Sequence, residues 1–249
     1  MFLTLFAPAP APLNDTSAIA LIDSMYAAGD PAASLARCEA RVVEKDDPRV
    51  RWRAARAAIA MGMMRADGPE RRLLYDRALA HARAGAKLAP DDVQARYWVA
   101  AAAGRRAHRD DPVLSARLAL EVYDHASAIL ATDSTHAGAH HALGMLHAEV
   151  LRAPRLIRMI AGRVLRMDVA NRANPREAER HLRRAVELEP TVLLYMADLA
   201  EFYARTRRHL EARTVAKRIG AVQSRHPMDY HIRQAFSADQ ERLRLVAPE

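Results

Sequence analysis

Cysteine is nearly absent from this 249-residue chain: Cys38 stands alone. That excludes an intramolecular disulfide framework and any cysteine-rich zinc site, and leaves a buried structural thiol as the plain reading. Glycine (9) and proline (13) are too few for a collagen-like or broadly disordered chain. Aromatic residues make up only 5% and β-branched residues are sparse, so a β-sheet has little to build from. No run of eighteen apolar residues exists, and no segment reads as a transmembrane helix. Also missing are a Walker loop, a GxGxxG after a strand, an HExxH and a GxSxG, the frames that most nucleotide, metal or acyl chemistry needs. The chain therefore reads as non-catalytic, without cofactor or metal.

What is present favours helix. Alanine leads with 53 residues, and hydrophobic residues reach 51%, ample for a core. Lysine is limited to Lys45, Lys87 and Lys217, so the 38 basic residues are almost all arginine. A net charge of +8 suits an acidic partner, although arginine also supports helices through pairs with glutamate. Residues 1–15, from Met1-Phe2-Leu3 through Ala7-Pro8-Ala9-Pro10, read as a disordered, Pro-rich leader outside the fold. A shortened secretory signal is the alternative. The first reading goes with a cytoplasmic protein, the second with an exported one.

Repeats organise the rest. Ala178, Leu182, Ala185 and Pro190 set a frame of small or apolar residues at relative positions 0, 4 and 7, with a terminator at 12. Offsets 0, 4 and 7 share one stripe of a helix. The same frame gives Ala78, Ala82, Gly85 and Pro90, and Ala36, Ala40, Val43 and Pro48. Relaxed, it gives Val122, Ala126, Ile129 and Ser134, and then Ala212, Ala216, Ile219 and Ser224. Nine and ten residues after the terminators lie the pairs Ala57-Ala58, Val99-Ala100, Leu143-Gly144 and Leu199-Ala200. The terminators are 42, 44, 56 and 34 residues apart, a 34-residue tetratricopeptide spacing with three enlargements. The expectation is an all-α, tetratricopeptide-like right-handed superhelix of about five helix pairs over residues 16–226. Three pairs are enlarged, and residues 227–249 supply a C-terminal capping helix and tail.

Three segments carry a resemblance: Tyr97-Trp98-Val99-Ala100, His136–Val150 (HAGAHHALGMLHAEV) and Ala173–Pro190 (ANPREAERHLRRAVELEP). On them the chain resembles the regulator of microtubule dynamics family, over roughly residues 70–240. The resemblance implies degenerate tetratricopeptide repeats, microtubule association by the family's name, and phospholipid handling in some members. Met145-Leu146-His147 depart from it where an aromatic often follows the Leu-Gly pair.

Two constellations are candidates for a binding site. His136, His140 and His147 share one helical face. An i,i+4 imidazole pair can hold a metal, but His140 and His147 occupy packing positions, so a packing or groove-lining role is preferred. The insertion 152–172 interleaves Arg152, Arg155, Arg158, Arg163, Arg166 and Arg172 with the stripe Leu156, Ile160, Val164 and Met167. A basic amphipathic helix suits anionic lipid or phosphate; a solvated face over a closing stripe is the bland alternative. Tyr97 joins Arg152, Arg155, Arg158, Arg163, Arg166, His140 and His147 as a candidate for partner contact. Two functions stand. In the first, a binding scaffold holds a peptide or helix of a partner protein in its concave groove. In the second, the groove and the arginines carry an anionic amphipath, such as a phospholipid or fatty acid, or meet a membrane surface. Nucleic acid is disfavoured because stacking aromatics are scarce.

Overall fold

Helices start where an Asp, Asn or Gly precedes proline: Asp30-Pro31, Asp47-Pro48, Gly68-Pro69, Asp111-Pro112 and Asn174-Pro175. Proline at the first helical position gives up only an N–H that the helix cannot use, and an Asp or Asn before it caps the next free donors. Asp30 accepts from the Ala33 N–H at 2.8 Å, Asp111 from Leu114 at 2.9 Å and Asn174 from Glu177 at 2.9 Å. Asp92 and His136 do the same for helices that lack proline, accepting from Ala95 at 2.7 Å and Ala139 at 3.0 Å.

A computed structural model describes residues 15–107, 111–153, 173–224 and 226–239, and they form eleven helices with no strand among the described residues. These are α1 (Asp15–Ala27), α2 (Pro31–Glu44), α3 (Pro48–Met63), α4 (Pro69–Leu88), α5 (Val93–Arg106) and α6 (Pro112–Thr132). They continue with α7 (Ala137–Arg152), α8 (Pro175–Leu188), α9 (Leu193–Arg205), α10 (His209–Ala221) and α11 (Asp229–Asp239). Successive helices pack as hairpins, α1 with α2 through α9 with α10, and α1 to α10 form the five expected pairs. Residues 1–14 of the leader lie outside the described residues, and so does the insertion from residue 154 to 172. Asp15, at the expected end of the leader, opens α1 and pairs with Arg41 and Lys45.

The helix crossings fall where small residues allow it. Ala57, Ala58, Val99, Ala100, Leu143 and Leu199 are all buried, as are Ala78, Ala82, Ala178, Leu182 and Ala185. A Cβ built on Gly144 would sit 2.9 Å from the backbone nitrogen of Leu182, so α7 and α8 cross nearly backbone to backbone. One expectation fails. Ala36 and Ala40 are exposed and Val43 is 88% exposed, so the frame counted back from Pro48 is out of register. The α2 stripe is Ser34, Cys38 and Arg41 instead, two residues earlier, and the Ser34 hydroxyl donates to the Ile22 carbonyl at 3.1 Å. Pro90 and Pro190 lie two residues past the end of their helix, whereas Pro48 is already the first residue of α3, four past the end of α2. That difference of two is the slip.

Cys38 is buried, and loss of water pushes its thiol up to about 12, the behaviour of an inert packing residue.

Candidate functional site

The first helix of each pair (α1, α3, α5, α7, α9) turns one face to the inside of the superhelix. On α1 and α3 that face is cationic and aromatic. Asp23 receives Arg53 at 2.8 Å and Arg56 at 2.7 Å, which holds its carboxyl below the usual range against the cost of burial. The same guanidinium groups stack on rings, Arg53 over Trp52 at 3.9 Å and Arg56 over Tyr26 at 4.0 Å. Trp52 lies parallel to Trp98 of α5 with centroids 6.3 Å apart.

Tyr97 lies on Gly138: a Cβ there would come within 2.4 Å of the ring. Only a glycine lets the ring lie flat across α7 and reach Tyr195 of α9, with which Tyr97 shares a hydrogen bond. Burial raises both phenols. His141 stacks on Tyr195 at 4.6 Å and bonds to Asp198 at 2.7 Å. An unbroken row of ring contacts and hydrogen bonds therefore joins α3, α5, α7 and α9.

α11 sits on the inside of this row. Arg233 donates to the carbonyls of Ile219 and Val222, capping the end of α10. The helix then packs on α9, with Met228, Ile232 and Phe236 buried. At its start, His226 meets the ring of Tyr26 edge-on at 5.7 Å, so the C-terminal segment reaches from α10 to α1. A cleft of about 200 Å³ remains beside it. It is lined by Met63, Tyr75, Leu194 and Ala197 with Ile232 and Phe236 of α11, and by charged groups of both signs, Arg71, Arg105, Asp198 and Glu201.

The histidines form a separate cluster at the α7–α8 crossing. His140 and His147 come together there with His181, which the sequence did not single out. His136 instead caps α7 and stacks near Tyr97 at 5.2 Å. The hydrogen bonds fix the tautomers. His140 Nε2–H donates to the Ser134 carbonyl at 3.1 Å, so its Nδ1 is an acceptor. His181 Nδ1–H donates to it at 2.8 Å, and His181 Nε2 accepts from Arg180 at 2.9 Å. The chain closes only if both rings are neutral. Burial holds His140, His147 and His181 below the normal imidazole range, His181 down to about 4 with the Arg180 charge adding to the effect. Among the described residues no group of His, Cys, Asp or Glu is arranged to hold a metal ion. Beside the cluster, a polar concavity of about 640 Å³ opens onto Arg176, Arg180, Arg183 and Arg184.

Arg152 ends α7 and pairs with Glu149. Arg155, Arg158, Arg163 and Arg166 lie outside the described residues. Of the candidates, then, His140 and His147 meet in the crossing, Tyr97 belongs to the inner face, and Arg152 stands at a helix end. The cleft was missed because it joins residues far apart in sequence. The one local sign of it was the spacing of Met228, Ile232 and Phe236.

Helix hairpins with small-residue crossings wound around an inner face define a tetratricopeptide-like solenoid. A tetratricopeptide protein of Thermus thermophilus, TTC0263, has the same fold, with a TM-score of 0.63 at 18% identity over 90% of this chain and 98% of that one. MamA of Desulfovibrio magneticus RS-1 overlays more loosely, with a TM-score of 0.46 at 16% identity over 90% of this chain and 98% of that one. The family described as Regulator of microtubule dynamics protein 1-3 matches residues 18–242, and the chain belongs to that family. No curated protein matches it. Among the described residues no helix is long and apolar enough to cross a membrane.

Proposed function

We propose that the protein is a non-catalytic binding scaffold whose concave cleft holds a helix of a partner protein. Solenoids of this kind commonly use their concave surfaces to bind other proteins. The observation that carries the reading is the inner cleft itself, lined by apolar side chains together with charged groups of both signs, with a helix already lying along it. Helix-in-groove recognition needs those parts.

A lipid cargo finds less support. The cleft, at about 200 Å³, is below the roughly 300–1,000 Å³ of small-molecule sites. The larger concavity is lined by arginine, glutamate, serine and histidine rather than by apolar side chains.

A photo-reactive phenylalanine placed at Ala197 in the cleft, and separately at exposed Val113 on α6, tests the reading in cell extract. Adducts with a discrete polypeptide from position 197 alone, competed by unlabelled protein, are expected. No adduct, or equal labelling from both positions, would sink it.

A further inference from the structure

We propose that the arginine-lined concavity beside the α7–α8 crossing binds a small, doubly charged oxyanion of the phosphate or sulfate class, and that proton uptake by the histidine chain tightens it. The site lies apart from the inner cleft, so it neither needs nor tests the scaffold reading.

Four arginines of α8, Arg176, Arg180, Arg183 and Arg184, share the concavity with two acids, Glu179 and Glu187. Arg176, Arg180 and Arg184 are spaced by four and so stand along one face, where like charges repel. The acids do not neutralise them. Glu179 is already engaged, accepting from the Tyr203 hydroxyl at 3.1 Å and from Arg208 at 2.5 Å. Glu187 is 53% exposed and stays 3.6 Å from Arg184 and 3.9 Å from Arg183, too long for a hydrogen bond to either. Arg176 is exposed and pairs with no carboxylate among the described residues. Guanidinium forks match the oxygens of phosphate and sulfate. Ser134 and His140 complete the lining, and no apolar side chain joins it. The site therefore suits a free ion and offers no seat for the tails of a lipid.

Arg180 links this site to the histidines. Its Nη2 donates to the Glu177 carboxylate at 2.6 Å and to His181 Nε2 at 2.9 Å, so that nitrogen has no room for a proton. An anion that draws Arg180 into the concavity frees Nε2. The new Nε2–H then finds Glu177, whose carboxylate oxygen is already 3.9 Å away. Arg180 exchanges a carboxylate for the anion, and Glu177 exchanges Arg180 for an imidazolium. Giving up the Arg180–Glu177 pair costs little, because the two side chains are 58% and 37% exposed.

The surrounding charges decide the sign. His181 faces Arg180 and Glu177 on its own helix and His140 and His147 from α7, while His140 faces His136, Arg184 and the Ser134 carbonyl. Burial first, then the Arg180 charge, holds His181 down to about 4. A bound anion removes that cation from the ring and adds an opposite charge nearby, so it raises the imidazole's affinity for a proton. By reciprocity the proton raises the affinity for the anion, and binding tightens as pH falls.

Sulfate is the probe, because its charge does not change between pH 7.5 and 5.5. It is titrated into the full chain at constant ionic strength, balanced with chloride, while histidine ring signals are followed by NMR and the fold by circular dichroism. We expect saturable shifts of His140, at least threefold tighter binding at pH 5.5 than at 7.5, and a higher titration midpoint for His181 in sulfate. Arg176→Gln with Arg184→Gln, both on exposed positions, should weaken binding at least fivefold at either pH. His181→Gln should bind as the wild type does at pH 7.5 and gain nothing on acidification. Shifts no larger than those from chloride, or an affinity untouched by the double arginine variant, would overturn the site. Equal affinity of the wild type at the two pH values would overturn the coupling.

Discussion

Two helix pairs, α3–α4 and α7–α8, share one frame and differ in what they bury beside it. Both cross on small residues, Ala57, Ala58, Ala78 and Ala82 in the first, Gly144, Ala178 and Ala185 in the second. Both carry a histidine three residues after the first frame position, His81 and His181. His81 lies between the Glu39 carboxylate at 3.1 Å and Arg51 at 3.2 Å. His181 is bonded to another imidazole and to Arg180, and its nearest carboxylate oxygen, on Glu177, is 3.9 Å away. Glu39 accepts the His81 Nε2–H, so an added proton goes to Nδ1 against Arg51, but with an anion on the other side of the ring. A proton on His181 breaks a hydrogen-bonded chain with no carboxylate in hydrogen-bond contact. One position of one repeat frame is thus less acid-labile in one pair than in the other.

Acid should break the second pair first, and this is the largest effect expected. Unfolded histidine titrates near ~6.5, and His181 in the folded chain titrates at about 4. As pH falls the unfolded chain takes the proton first. The stability that depends on a neutral His181 is therefore complete above ~6.5 and is lost between there and about 4. At about 1.4 kcal/mol per pKa unit, the site is worth on the order of 3 kcal/mol across that window. His181→Gln keeps a donor and an acceptor but cannot titrate, so urea melts at pH 7.5 and 4.5 should lie closer together than in the wild type. His81 is also held low, by burial, with Glu39 opposing it, and His81→Gln should flatten the profile less. Equal flattening by both variants would break the comparison.

Steric changes come next. Gly144→Ala drives a methyl against the Leu182 backbone, and Ala185→Leu overfills the same crossing; each should cost about 1–3 kcal/mol. At this chain length that is roughly 2–4 °C in melting temperature per kcal/mol. In the first pair, Gly85→Ala would meet the Arg51 Cβ at 3.0 Å, with backbone atoms no nearer than the Pro48 carbonyl at 3.5 Å and the Trp52 nitrogen at 3.7 Å. Its gain in helix propensity offsets part of that, so it should melt closer to wild type. An unshifted melt for Ala185→Leu would mean that α7 and α8 do not cross where the frame puts them.

These crossings were readable because small residues at a fixed spacing report backbone approach directly. Leu143-Gly144 and Leu199-Ala200 fell at buried crossings. The α2 frame was not readable, because proline has two physical roles, turn residue at Pro90 and Pro190 and helix starter at Pro48, and counting back treats them alike. The Asp-Pro and Asn-Pro pairs would have separated them. The His181 chain and the α11 cleft stayed hidden for another reason. Both depend on partners brought in by tertiary structure, His140 from 41 residues away and Met63 from well over a hundred, and no local pattern encodes such a pairing.

The inner face gives a smaller, sharper test. Gly138→Ala places a methyl in the plane now held by Tyr97, so the ring must swing out and release Tyr195. Loss of one buried hydrogen bond should cost about 1 kcal/mol, and Trp98, 5.1 Å from Tyr97, should change its fluorescence. Tyr97→Phe should cost a similar amount with the ring still in place and the emission nearly unchanged. If both variants alter emission alike, the glycine is not what seats the ring.

The smallest effects should come from the exposed arginines, and they separate the two pairs once more. Arg83 reaches from α4 to Glu121 of α6 with contacts of 3.0 and 2.9 Å, but its side chain is 50% exposed. Screening and side-chain entropy should hold that pair to about 0–1 kcal/mol, so Arg83→Gln should leave the melt nearly unchanged at pH 7.5 and 4.5 alike. Arg180 is as exposed, at 58%, and pairs with Glu177 in its own helix, yet it also donates to His181 and repels a proton there. Arg180→Gln should cost little at pH 7.5, but with the cation gone His181 protonates more readily in the folded chain, so less stability is lost on acidification. Arg83→Gln and Arg180→Gln should thus be alike at neutral pH and part below pH 6. Curves that stay parallel would show that Arg180, like Arg83, is only a solvated charge.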